Sequence, residues 1–208
     1  MRRLGSILVA LIVCSAPAAA DDKDPLERAR ALYNDGRFDA AIASADQARL
    51  APGRADRADL IAARAYLERF RGSGAPDDLT NARERVLDWW ASALDREARP
   101  RTDIERQAVY QRIRGRMQEE MAARPASTVA AYWVSAAARG QGDLQAAWDA
   151  AQAGWVRAGL ATDRGASLRA DLDRLVLRGI VPERAKALAQ PPDVLRQDWE
   201  RFKERWSR

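Results

Sequence analysis

Apolar residues in this chain recur three and four apart, and from residue 21 onward no stretch with β-branched residues alternates polar and apolar over a strand's length. That spacing puts apolar side chains on one face of a helix, so the chain must bury helix stripes against other helix stripes. Ala82, Val86, Trp89, Trp90, Ala93 and Leu94 make one stripe, and Leu168, Leu172, Leu175 and Val176 make another. Trp199, Phe202 and Trp206, with Leu195 a turn earlier, make a third. Asp24-Pro25 with Glu27, Thr102 with Glu105, and Asp193 after Pro191-Pro192 read as capped helix starts. The expected fold class is all-α.

Residues 1–20 have a different pattern. Arg2 and Arg3 precede an apolar run from Leu4 to Cys14, and Pro17 leads into Ala18-Ala19-Ala20 before Asp21-Asp22. This is the build of a cleaved export signal, with a run too short for the roughly 20 residues that span a bilayer. The expected domains are therefore a signal peptide at 1–20 and a single helical domain at 21–208, periplasmic or secreted, with no transmembrane anchor after cleavage. Val13 before Cys14 is too large for a lipoprotein signal. The segment carries two arginines and no acid, so the chain's net charge of +5 falls to about +3 without it. So small an excess on an exported chain argues against nucleic acid as a partner.

The chain has no histidine, and its one cysteine is Cys14. These absences remove His/Cys zinc sites, Ser-His-Asp triads, Cys-His pairs and any disulfide within the chain. The thirty Asp and Glu residues stand among arginines on what read as solvent faces, the pattern of surface ion pairs rather than of a glycosidase acid pair. Gly72-Ser73-Gly74 lacks the Lys-Ser/Thr of a phosphate-cradling loop and reads as part of an insertion. No enzyme activity, cofactor or metal is expected.

Self-comparison is more informative. Leu26-Glu27-Arg28-Ala29-Arg30-Ala31-Leu32-Tyr33 returns 34 residues later as Leu60-Ile61-Ala62-Ala63-Arg64-Ala65-Tyr66-Leu67. Gly36-Arg37-Phe38-Asp39-Ala40-Ala41-Ile42 returns as Gly142-Asp143-Leu144-Gln145-Ala146-Ala147-Trp148. A turn glycine followed by small residues at helical spacing describes a close-packed helix pair.

On these residues the chain resembles the tetratricopeptide repeat (TPR) family, whose 34-residue unit is two antiparallel helices. Ala29, Leu32, Gly36, Phe38, Ala41, Ala45 and Ala48 fill its positions in a first unit, Ala63, Tyr66 and Ala82 in a second. Ser135, Ala138, Gly142, Leu144, Ala147, Ala151 and Gly154 fill them in a later one. The second unit carries an insertion at 71–77, and a single long helix over 103–123 interrupts the pairing. Residues 163–190 read as a further pair turning at Gly179, and 193–207 as a C-terminal capping helix.

The resemblance implies an α-solenoid of antiparallel helix pairs, with an irregular middle, that serves as a protein–protein interaction scaffold in a bacterial envelope. It further implies a concave face lined by first helices, here by Arg30, Tyr33, Asn34, Arg57, Arg64, Glu68, Tyr132 and Arg139. Arg30 and Arg64 occupy equivalent places, and two guanidiniums suit an acidic segment or a C-terminal carboxylate of a protein or peptide partner. Each also has an acid in reach on its own helix, Glu27 and Glu68. An alternative rests on the seven tryptophans. Trp89, Trp148 and Trp155 read as core, while one of the adjacent Trp89 and Trp90, and Trp133 beside Tyr132, read either as packing residues or as surface rings where a small ligand or glycan would meet a Trp-lined pocket.

Mass spectrometry of protein exported by its native host is expected to find a mature chain starting at Asp21. Recovery of Met1, or of a lipid on Cys14, would overturn the signal-peptide reading.

Overall fold

The computed structural model describes residues 24–51, 53–160 and 165–206. The expected signal segment, with its cleavage site, lies outside them. Among the described residues there are ten α-helices and no strand. The first five are α1 (Pro25–Asn34), α2 (Phe38–Arg49), α3 (Ala55–Ser73), α4 (Pro76–Ala98) and α5 (Asp103–Ala123). They continue as α6 (Thr128–Gly140), α7 (Leu144–Arg157), α8 (Gly165–Leu175), α9 (Val181–Leu188) and α10 (Pro192–Trp206).

The helix ends follow from local chemistry. Asp24 accepts from the Leu26 N–H at 3.1 Å and caps α1, with Pro25 in the first turn, where its missing N–H costs nothing. Glu105 accepts from the Thr102 N–H at 3.2 Å and the Thr102 hydroxyl at 2.7 Å, which starts α5 where the sequence placed it. Gly36 and Gly142 both turn at positive φ, 72° and 79°, so the two matching glycines close the α1–α2 and α6–α7 turns alike.

Ion pairs fix the helix directions. Arg49 at the end of α2 meets Asp59 early in α3, while Arg69 late in α3 reaches Asp39 at the start of α2. Arg96 late in α4 reaches Asp56 at the start of α3. Arg83 and Asp95 of α4 reach Glu120 and Tyr110 of α5, at that helix's far and near ends. The run α2 to α5 is thus successively antiparallel, and α6 lies parallel to α4, since Glu84 and Asp88 meet Ser127 and Trp133 in register.

Three expectations are corrected. Residues 71–77 are not an inserted loop: α3 runs to Ser73, Gly74 ends it at φ 70°, and Pro76 opens α4. Residues 165–188 do not turn at Gly179: α8 passes through a π-helical turn, Val176–Ile180, straight into α9. The wider turn lies just before Pro182, which cannot donate to an α-helical ladder. The third correction concerns α4. Val86 is exposed and Trp89 and Trp90 are only half-buried, whereas Asp78, Glu84, Arg85 and Asp88 are buried beside Ala82, Leu87 and Ala91. This helix touches α3, α5 and α6 and keeps little solvent face for its charges.

At the far end α10 packs back on α7 and α9. Trp199 is fully buried, with Trp148 and Trp155 edge-on at 5.7 and 5.6 Å and Phe202 stacked at 5.4 Å. Its Nε1 donates to Asp173 at 2.8 Å, so the indole's polar atom is satisfied in the core. The stripe tapers outward, ending at the exposed Trp206. No helix of the described residues is long and apolar enough to cross a membrane.

Trp199→Ala would empty the centre of this aromatic cluster, and a loss of about 3–5 kcal/mol is expected. Thermal and urea unfolding check it; a melting temperature within error of the parent would mean α10 is not part of the core.

Candidate functional site

The buried charges of α4 organise the middle of the molecule. Asp59 of α3 is fully buried, with Arg85 Nη1 donating at 3.0 Å and Arg49 Nε at 2.9 Å but out of line for a hydrogen bond. Arg85 also pairs with Asp46 of α2, and Arg49 with Asp88 of α4. Asp88 then accepts from Trp133 Nε1 of α6 at 2.7 Å. A chain of charges, Asp46–Arg85–Asp59–Arg49–Asp88–Trp133, therefore ties four helices together.

Two further carboxylates complete the arrangement. Glu84 accepts from the Ser127 hydroxyl at 2.6 Å and from the Val129 N–H at 3.0 Å, capping α6 from a neighbouring helix. Glu120 takes a two-pronged contact from Arg83, at 2.8 and 2.6 Å, which holds its carboxyl below the usual range although it is buried. Asp59, Asp88, Glu84 and Glu120, all buried, overturn the expectation that nearly all acids sit on solvent faces. One signal for Asp59 was present: Ala55, Ala62 and Ala63, four before and three and four after it, mark its side of α3 as a close-packed one.

Above this network lies an open cavity of about 900 Å³. Its walls come from α2 (Asp46, Arg49), α3 (Ala55, Asp56, Tyr66), α4 (Arg85, Asp88, Ser92), α6 (Thr128, Tyr132, Trp133) and α8 (Leu168, Asp171). A second cavity of about 710 Å³ shares Asp95, Arg99, Tyr132 and Trp133 with it, so the two form one groove. A recess of about 190 Å³ opens beside Tyr132 and Arg139. Tyr132 lines all three. Burial pushes its hydroxyl up to about 12, so it stays a hydrogen-bond donor, and it has no bonded partner among the described residues.

The structure divides the candidate residues into two groups. Tyr132 and Arg139 line the groove, and Arg139 is held by Glu183 at 2.5–3.1 Å. Arg30, Tyr33, Asn34, Arg57, Arg64 and Glu68 lie on α1 and α3 and do not line it. Arg30 pairs with Glu27 at 2.7 Å, Glu68 pairs with Arg71 at 2.6 Å, and Arg64 lies 5.9 Å over the Tyr33 ring. Asn34 and Arg57 are exposed. The physical reason is α5. It packs against both α4 and α6, so the row of helices in mutual contact passes from α1 and α3 to α4, α6 and α8. The groove residues on α2 and α4, Arg49, Arg85 and Asp88 above all, were missed for the same reason.

Of the tryptophans, Trp133 borders the groove, although it is buried and its Nε1 is taken by Asp88, and none lines the recess. Trp148 and Trp155 are buried core residues, as their spacing predicted. Among the described residues no group of three or more acids, histidines or cysteines is arranged to hold a metal ion. Compared with family models, curated proteins and solved structures, the chain matches none.

Asp59 gives the network a measurable signature. Burial, then the like charge of Asp88, push its carboxyl up to about 7, against the pull of Arg49 and Arg85. Between the ordinary carboxylate range at about 4 and this value, the folded chain holds a proton that the unfolded chain has released. Stability from this group therefore falls as pH rises across that window. In Asp59→Asn the titrating group is gone, so the variant is expected to gain on the parent from about pH 4.5 to about pH 7 and then level off. Urea unfolding across that range checks it; a pH-independent difference would mean Asp59 is ionised throughout.

Proposed function

We propose that this chain is an exported, TPR-like helical-repeat scaffold of a bacterial envelope that holds a partner polypeptide in the groove along α4, α6 and α8. The reading rests most on one observation: two large cavities share Asp95, Arg99, Tyr132 and Trp133 and so make an extended, open trough rather than a closed chamber. Small ligands are generally held by mostly enclosed, mainly apolar pockets. Here the lining alternates arginine and aspartate with four aromatic rings, Tyr66, Tyr110, Tyr132 and Trp133. Such a surface suits an extended segment bearing both charges, with the rings as anchors.

The repeat spacing supports the solenoid part of the reading, with Gly36 and Gly142 in matching turns and Ala29, Ala41, Ala45, Ala138, Ala147 and Ala151 buried at helix contacts. The apolar run and Ala18-Ala19-Ala20 support export. A glycan pocket has less behind it, since one tryptophan rather than several lines the groove.

Asn81 and Ser92 line the groove without taking part in its ion pairs, which makes them suitable positions to block. Asn81→Arg with Ser92→Arg is expected to keep helix content and melting temperature while abolishing capture of the partner that the parent retains from an envelope extract. The comparison variant is Arg30→Glu with Arg64→Glu on the other row. Should that variant lose the partner while the blocked groove keeps it, binding belongs to α1 and α3.

A further inference from the structure

The small recess differs electrically from the groove it opens into. In the larger cavity the lining holds five carboxylates and four arginines, and in the second three of each. The recess is lined by Arg139, Arg174 and Arg178 against Asp171 alone, with Tyr132, Leu175 and Gly179 completing it. Even with Glu183, which holds Arg139 through Nε and Nη2, the local charge is positive.

The donors there are underused. Arg178 makes no ion pair among the described residues, and Arg174 touches Asp171 at 3.3 Å, long for such a contact. Arg139 keeps Nη1 unbonded, and the Tyr132 hydroxyl is a free donor. Construction around them is tight. A Cβ on Gly179 would stand 2.7 Å from Arg139 Cζ, so a larger residue there would make the flexible guanidinium shift from this position. The π-helical turn carries Gly179 and Arg178 together, and a local i→i+5 turn of this kind often marks a functional position.

We infer that this recess binds a tetrahedral oxyanion, either free phosphate or the phosphate group of a larger ligand. Three guanidiniums and a phenol reach it from two separate helical segments, α6 and the α8–π turn. That spread suits an oxygen tetrahedron, whereas a planar carboxylate is met by one guanidinium fork. The volume of about 190 Å³ holds one such group. Asp171 opposes the anion, though burial already raises its pKa and eases its protonation. The inference stands apart from the scaffold reading, because it concerns a small anion and needs no polypeptide partner.

Calorimetric titration of the full chain with inorganic phosphate, at fixed ionic strength with chloride as control, is expected to give saturable binding at about millimolar affinity. Arg174→Ala and Arg178→Ala should each weaken it about tenfold, and Tyr132→Phe about threefold. Asp171→Asn should tighten it, a change of sign that general destabilisation would not produce. Phenyl phosphate binding more tightly than phosphate would identify an ester as the ligand; equal affinity would identify the free ion. No saturable heat up to about 50 mM, or unchanged affinity in the folded Arg174→Ala, Arg178→Ala double variant, would overturn the assignment.

Discussion

Asp59, Arg49, Arg85 and Asp88 are charges placed where four helices meet, and the middle of the molecule is arranged around keeping them paired. Removing such groups from water costs several kcal/mol each, and the cost is recovered only if partners are close and well aligned. The alignment here is incomplete. Nε of Arg49, Nε of Arg85 and Oδ2 of Asp59 are buried without a hydrogen bond. The network therefore contributes specificity of helix placement more than stability: each carboxylate accepts only the arginines that one packing of α2, α3 and α4 brings to it. The raised pKa of Asp59 expresses the same shortfall, since burial and Asp88 outweigh two arginines.

From that network the groove follows. Asp88 reaches α6 through Trp133, Glu84 caps α6 through Val129, and Arg83 holds α5 through Glu120. Three consecutive residues of α4, Arg83, Glu84 and Arg85, thus address four helices, with Arg85 pointing to both α2 and α3. A helix used in this way keeps α6 parallel to it and leaves α5 outside the row. The trough between α2 and α8 is what remains open when α4 and α6 stand side by side. Its floor is already neutralised by internal pairs, and unspent positive charge collects beyond Tyr132, where α8 passes through its π turn.

The C-terminal half is held by different physics. Trp148, Trp155, Trp199 and Phe202 bury large apolar surfaces, and Lys203 meets Asp173 at 2.7 Å on the rim. Apolar packing of this kind tolerates small shifts that an ion-pair chain does not. The two halves thus combine a directional polar centre with a non-directional aromatic end.

Periodicity alone determined the helices, because a spacing of three and four is a property of the chain and needs no neighbour. The long helix at 103–123, the turns at Gly36 and Gly142 and the inward face of the last helix were all legible for that reason. So was the burial of Trp148 and Trp155. The direction in which α4 buries itself was not legible, because an arginine or aspartate looks the same in sequence on a solvent face and in a satisfied network. Gly179 misled for a related reason: the sequence contains the glycine but not the Arg139 side chain that lies where a Cβ would crowd it. The candidate site divides along the same line. Tyr132 and Arg139 line the groove because α6 packs beside α4. Arg30 and Arg64 fell outside the groove because one unpaired helix, packed on both its neighbours, brought α4 beside α6, and only contacts between distant segments decide that.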